Sequence, residues 1–215
     1  MELILNSVEL PLSWGQVTIE RGIKAYAVQT SSIIDDVIER DMRLIAALSG
    51  ASLKDVEGLQ VDEIKKLSKQ LEFTKQLPSE RLPLEFKIND RQYKGMMDCR
   101  KMKGRQFADY TLACKESQGA DAIYNMHKFM ATFCVPIDTG YVGYDKEEDN
   151  IYKHMTMDLA YPWFVFFCQV AKRLYPYTQT YFLQKARNEL KMVKKLLKKS
   201  ETPSLKSTAG ISYLI

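Results

Sequence analysis

Asp158-Leu-Ala-Tyr-Pro-Trp-Phe-Val-Phe-Phe-Cys-Gln-Val-Ala-Lys-Arg-Leu-Tyr175 decides the fold. From Leu159 to Cys168 every residue but Pro162 is apolar or aromatic, and the run closes on Lys172 and Arg173. Trp163, Phe164, Phe166 and Phe167 cannot all stay in water, because each buried aromatic side chain contributes a few kcal/mol. The run is too short for a bilayer, which needs about 20 apolar residues. It reads as a buried helix, the central post of a helical core, with Asp158 as N-cap and Pro162 in the first turn.

The remaining helices follow from spacing. Residues 17–29 place Ile19, Ile23, Tyr26 and Ala27 on one face, with Thr18 as cap. The next helix opens at Ser31 or Ser32, carries Val37, Ile38, Met42, Ile45 and Leu48 as one stripe, and ends at Gly50. Ser52 and Asp55 form a capping box for a short helix that stops near Gly58. Residues 61–74 are a further helix with Val61, Ile64, Leu67 and Leu71 inward and Lys65, Lys66 and Lys69 outward. Residues 105–115 show Phe107, Tyr110, Leu112 and Cys114. From Gly119-Ala-Asp121 another helix carries Ile123, Met126, Phe129, Met130 and Phe133 until Pro136. Between these groups lies a β signal: Leu84-Glu-Phe-Lys-Ile88 alternates, Asn89-Asp90 turns, and Gln92-Tyr-Lys-Gly-Met-Met97 returns.

The expected fold is therefore mostly α: two helical lobes joined by a small β-hairpin, plus a basic amphipathic helix and an extended tail. The expected segments are 1–77 (N-terminal lobe with a β-leaning arm), 78–100 (linker and hairpin), 101–180 (second lobe), 181–199 (basic helix) and 200–215 (tail). The lobes read as a duplication. Arg21-Gly-Ile-Lys-Ala-Tyr26 aligns with Arg105-Gln-Phe-Ala-Asp-Tyr110, and Leu59-Gln-Val-Asp62 with Met155-Thr-Met-Asp158, which sets Leu67 opposite Trp163 and Leu71 opposite Phe167. The expected core is Leu67, Leu71, Phe129, Phe133, Trp163, Phe166 and Phe167.

Charge is unevenly spread. The chain carries +4 over its 215 residues. Residues 185–206 hold eight basic side chains against two acidic ones, so residues 1–184 sum to −2. A leucine stripe (Leu183, Leu190, Val193, Leu196, Leu197) backs the basic face. Lys191, Lys194, Lys195, Lys198 and Lys199 are candidate contacts to a partner or to nucleic acid. Ile211, Tyr213, Leu214 and Ile215 form a candidate docking tail, and Tyr141-Val-Gly-Tyr144 an exposed aromatic loop.

No catalytic signature is present: no Gly-rich phosphate loop, no Gly-x-Ser-x-Gly elbow, no metal spacing. The expectation is a non-enzymatic protein without cofactor or metal. Cys99, Cys114, Cys134 and Cys168 read as free, buried thiols, since none is paired as C-x-x-C. The acidic cluster Asp145, Glu147, Glu148 and Asp149 lacks calcium-loop spacing and reads as a solvated helix N-terminus. Asp62 and Asp158 read as caps. No leader or membrane span is apparent, so a soluble protein made in a cytoplasm is expected.

Residues 10–75 also carry Leu12-Ser-Trp-Gly-Gln-Val-Thr-Ile, Asp41-Met-Arg-Leu-Ile-Ala-Ala-Leu-Ser-Gly50, Leu53-Lys-Asp-Val-Glu-Gly-Leu59 and Leu67-Ser-Lys-Gln-Leu-Glu-Phe73. Their order resembles that of morphogenesis proteins of tailed phages of gut Bacteroidetes, including tail-assembly-chaperone-like and virion structural proteins. Where that group has Gly-Gln-Phe, this chain has Arg21-Gly-Ile23, and Arg-Gln-Phe stands at 105–107. The resemblance implies a multi-copy virion component (ring, neck, tail or packaged protein), with other phage structural proteins and its own copies as partners. The virion, or the host cytoplasm during assembly, is the place it implies. A tail assembly chaperone absent from the finished particle is the alternative. A nucleic-acid-binding protein acting through the basic helix is the third reading, and no membrane partner is expected.

Overall fold

The computed structural model describes residues 8–78, 81–98, 101–117 and 122–169. The described residues up to Cys168 belong to one compact unit, Met1–Cys168; a second unit is Gln169–Ile215. The described chain is mostly helical and carries one small antiparallel sheet.

A single 3-10 turn (Trp14–Gln16) precedes α1, Ile19–Thr30, whose N-cap is Thr18 as the sequence predicts. Helix α2 is Val37–Ser49 and ends at Gly50, where φ is 80° and glycine costs least. Its start differs from expectation. Asp36, not Ser31 or Ser32, caps it, accepting from the Glu39 N–H at 2.8 Å. Val37 then falls in the first turn, 69% exposed and outside the stripe; Leu44, Ile45 and Leu48 are the buried residues. Helix α3, Leu53–Glu57, has the predicted reciprocal box between Ser52 and Asp55. Helix α4, Val61–Gln70, tightens into a 3-10 turn at Leu71–Lys75. Val61 is exposed at its first position, Ile64 and Leu71 are buried, and Lys65, Lys66 and Lys69 face solvent.

Strands β1, Glu85–Ile88, and β2, Arg91–Gly95, form the predicted hairpin. Asn89 and Asp90 have φ of 46° and 60°, the conformation of a tight primed turn that follows the sheet's right-handed twist. Helix α5 is Gly104–Glu116. It buries Gln106, Tyr110 and Ala113, while Leu112 is exposed. Helix α6, Met126–Phe133, runs directly into a third strand, β3, Cys134–Pro136, which pairs with β2. The sequence reading missed this strand, because a helical stripe and a proline stop hid three extended residues. Helix α7 is Tyr144–His154, and α8 occupies residues 157–169.

The sheet order is β1-β2-β3. Phe86, Tyr93 and Pro136 share one row of the register, and Glu85, Lys94 and Val135 the next. Alternation gives the sheet two unlike faces. Ile88, Tyr93, Gly95, Cys134 and Pro136 are buried, whereas Glu85, Lys87, Gln92 and Lys94 are exposed.

Helix α8 is the expected post. Ala160, Trp163 and Phe167, at helical spacing, are all buried. The indole stacks on Phe167 with centroids 5.5 Å apart, and Phe167 stacks on Phe133 at 3.3 Å. A Cβ on Gly95 would sit 1.8 Å from Trp163 Cζ2, so only glycine lets the indole lie against β2. Its N–H donates to the Pro83 carbonyl at 2.9 Å. Leu71, Phe129, Phe133, Trp163 and Phe167 are buried as expected; Leu67 and Phe166 are half-exposed. Asp158 is not the N-cap. Thr156 precedes the helix, its carbonyl accepts from Ala160 N–H at 2.9 Å, and its hydroxyl donates to Asp158 in the first turn. Asp62 likewise sits second in α4, behind Gln60. The helices on either side of the hairpin also meet directly: Ile19 N–H donates to Met155 O at 2.9 Å, and Met157 N–H to Val17 O at 2.7 Å.

Candidate functional site

The most developed polar site lies between the hairpin and α7. Tyr93, fully buried on β2, donates its hydroxyl to Glu147 Oε2 at 2.8 Å and accepts from Asn150 Nδ2 at 2.8 Å. Arg91 Nη1 meets Glu147 Oε1 at 2.7 Å. The same guanidinium donates to Asp138 at 3.1 Å and to Thr139 Oγ1 at 2.7 Å. Each Glu147 oxygen therefore has a partner, as a buried carboxylate requires. Burial, then the neighbouring carboxylate, pushes the Tyr93 hydroxyl up to about 12, so it stays protonated and donates at neutral pH. Asp138 is held below the usual carboxylate range, first by its bond to Arg91. The network can pin the hairpin to α7 and to the loop after β3. All its main groups are already engaged with one another.

This corrects the reading of the acidic cluster. Asp145, Glu147, Glu148 and Asp149 do lie in the first turns of α7, where carboxylates suit the positive end. Glu147, however, is buried and paired, and Glu148 meets His127 at 2.9 Å. A signal for this existed in the sequence. Glu147 shares a face with Ile151 and Met155, at i, i+4 and i+8, and an acid on an apolar stripe needs a buried partner.

A second network ties down the loop after β3. Tyr141 donates to Asp109 Oδ2 of α5 at 2.5 Å, and Arg105 meets Asp145 at 3.3 Å. The Tyr141-Val-Gly-Tyr144 loop is accordingly half-buried rather than exposed. The thiols also differ from expectation. Cys134 is buried, and that burial pushes its thiol up; Cys114 is half-exposed and Cys168 exposed. Cys99 lies outside the described residues.

A largely apolar groove of about 640 Å³ opens beside the sheet. Leu84, Met97 and Ile137 line it, each about half exposed, with Met96, Val135 and Pro136 beneath them. Lys94, Lys101, Glu85 and Asp98 edge it, so it carries both signs of charge. In the loop between α1 and α2 Ile33 is 90% exposed, and Val37, the first residue of α2, is 69% exposed.

The candidate contacts Lys191, Lys194, Lys195, Lys198 and Lys199, and the candidate docking residues Ile211, Tyr213, Leu214 and Ile215, lie outside the described residues. Among the described residues no cluster of three His, Cys, Asp or Glu side chains could hold a metal, and no helix is long and apolar enough to cross a membrane. Compared with models of protein families, with curated proteins and with solved structures, the chain matches none of them.

Proposed function

We propose that this chain is a non-enzymatic bacteriophage structural or assembly protein, a multi-copy part of the particle that acts through protein–protein contacts. The observation that carries the reading is exposed apolar surface on a well-packed unit: the groove of Leu84, Met97 and Ile137, and the exposed Ile33 and Val37. Apolar surface kept in water at this cost favours a protein partner. The polar side chains best placed for chemistry, Glu147, Tyr93 and Arg91, are engaged with one another instead. The sequence resemblance at residues 10–75 supplies the phage setting. Two of its motifs touch: Trp14 packs edge-on against Phe73 with centroids 5.3 Å apart.

The two-lobe duplication belongs to the same proposal. It is supported by matched positions, Gln60 and Thr156 just before α4 and α8, and Asp62 and Asp158 second within them.

Quantitative mass spectrometry of purified virions, beside the infected-cell lysate, tests the function. Stoichiometric peptides in the particle are expected. Abundance in the lysate with absence from particles favours the tail assembly chaperone. Absence from both overturns the phage setting and turns attention to salt-dependent DNA binding by residues 185–206.

A further inference from the structure

We propose that the α6–α7 contact is a pH-sensitive latch, closed while His127 is neutral and loosened when that imidazole takes a second proton. His127 stands at the start of α6, half-buried against α7. Its Nε2 lies 2.9 Å from Glu148 Oε1, and its ring packs on Tyr152 with centroids 4.8 Å apart. The other nitrogen, Nδ1, is buried and finds no hydrogen-bond partner among the described residues. The neutral ring with its proton on Nε2 is therefore satisfied: it donates to Glu148 and leaves only a lone pair in the interior. A second proton on Nδ1 buries a donor with no acceptor and a positive charge together, which is costly.

The surrounding charges do not cancel that cost. Glu148 of α7 attracts an imidazolium, but it already holds the Nε2 proton. Lys128, the neighbour on α6, repels it and is itself paired with Glu116 of α5 at 2.6 Å. From α7, Tyr152 presents its ring, and Tyr144 acts on Lys128 rather than on the imidazole. From α1, Glu20 and Lys24 face Tyr152 with opposite signs. Burial, only partly opposed by Glu148, holds His127 below the ordinary histidine value. The folded state then binds this proton less readily than the unfolded chain. The latch's contribution is complete above the ordinary histidine value and is lost as pH falls through the lowered one.

The chain has two histidines, and His154, exposed in the last turn of α7, is the internal control. The test uses the full chain: NMR titration of both imidazole C–H signals, and urea unfolding at about pH 7.5 and about pH 5.5. In the wild type, His127 should titrate below the ordinary histidine value. Acidification should lower the folded-to-unfolded ratio at least about threefold more in the wild type than in His127→Gln, which keeps a donor for Glu148. His154→Gln should retain the wild-type dependence, and Glu148→Gln should steepen it. Amide exchange across α6 and α7 should quicken on acidification in the wild type but not in His127→Gln. A His127 titration at or above the ordinary histidine value, or an unchanged pH dependence in His127→Gln, overturns the latch. The wild-type titration decides the matter even if a variant does not fold.

Discussion

Trp163→Ala should cost more stability than any other single truncation on α8. The side chain is fully buried, stacked on Phe167, and bonded through its indole N–H to the Pro83 carbonyl. Truncating a buried Trp costs about 3–5 kcal/mol in transfer and cavity terms. Leaving the Pro83 carbonyl without its donor adds about 1 kcal/mol or more. Against a domain stability of about 5–15 kcal/mol, the sum of about 4–6 leaves a marginal fold. Urea unfolding followed by far-UV circular dichroism reads this out. With a slope of about 2 kcal/mol/M, the midpoint should fall by about 2–3 M.

The packing against Gly95 sharpens the test. A methyl group there would lie 1.8 Å from Trp163 Cζ2 and 2.3 Å from Cη2, an overlap the stacked indole has little room to relieve. Gly95→Ala should cost about 1–3 kcal/mol by overpacking in the wild-type background. In Trp163→Ala the overlap is gone, so the same change should cost much less. The two substitutions should be non-additive by about 1 kcal/mol or more in a double-mutant cycle. A loss below about 1 kcal/mol for Trp163→Ala, or additive costs for the pair, would refute the account of α8 as a post seated on bare β2 backbone.

Two further substitutions probe the hairpin. Tyr93→Phe removes the buried hydroxyl that serves Glu147 and Asn150, and should cost about 1–3 kcal/mol at neutral pH. Because the folded Tyr93 is raised to about 12 from an ordinary 10.0, the wild type should also lose stability as pH rises through that window. Folded and unfolded chains differ there in one bound proton, and Tyr93→Phe should flatten that part of the alkaline unfolding profile. Asp90→Gly should stabilise the protein by a few tenths to about 1 kcal/mol, seen as a higher thermal midpoint, because glycine meets a φ of 60° without strain.

Much of the fold was legible where one local rule acted alone. Thr18, Gly50 and the Ser52–Asp55 box are local capping chemistry, and the structure has each of them where the residues placed it. The hairpin followed from alternation and from Asn89-Asp90, two residues that tolerate positive φ. Errors fell where two rules competed. Ser31, Ser32 and Asp36 can all cap a helix, and the choice of Asp36 is what exposes Val37. Strand β3 is three residues long and gains its meaning only from pairing with β2, 39 or more positions earlier in the chain, which no local pattern encodes. The polar site was half-legible. Glu147 on the face of Ile151 and Met155 announces a buried acid, but nothing local names Arg91 and Tyr93 as its partners.

The placement of those partners explains why this unit keeps a small sheet at all. A two-stranded hairpin has marginal stability by itself. Here it has three attachments: Trp163 lies on Gly95, β3 pairs along the free edge of β2, and Arg91 with Tyr93 grips Glu147 of α7. Leu84, Met97 and Ile137, just beyond the ends of the strands, line the groove together with Gly95, Val135 and Pro136. The buried ion pair is weak as a source of net stability but demanding in geometry. Its effect on the groove is therefore one of position: Arg91 holds Asp138 and Thr139, and Ile137 directly precedes them in the chain. Ile137 is thus positioned by a network whose residues do not themselves line the groove.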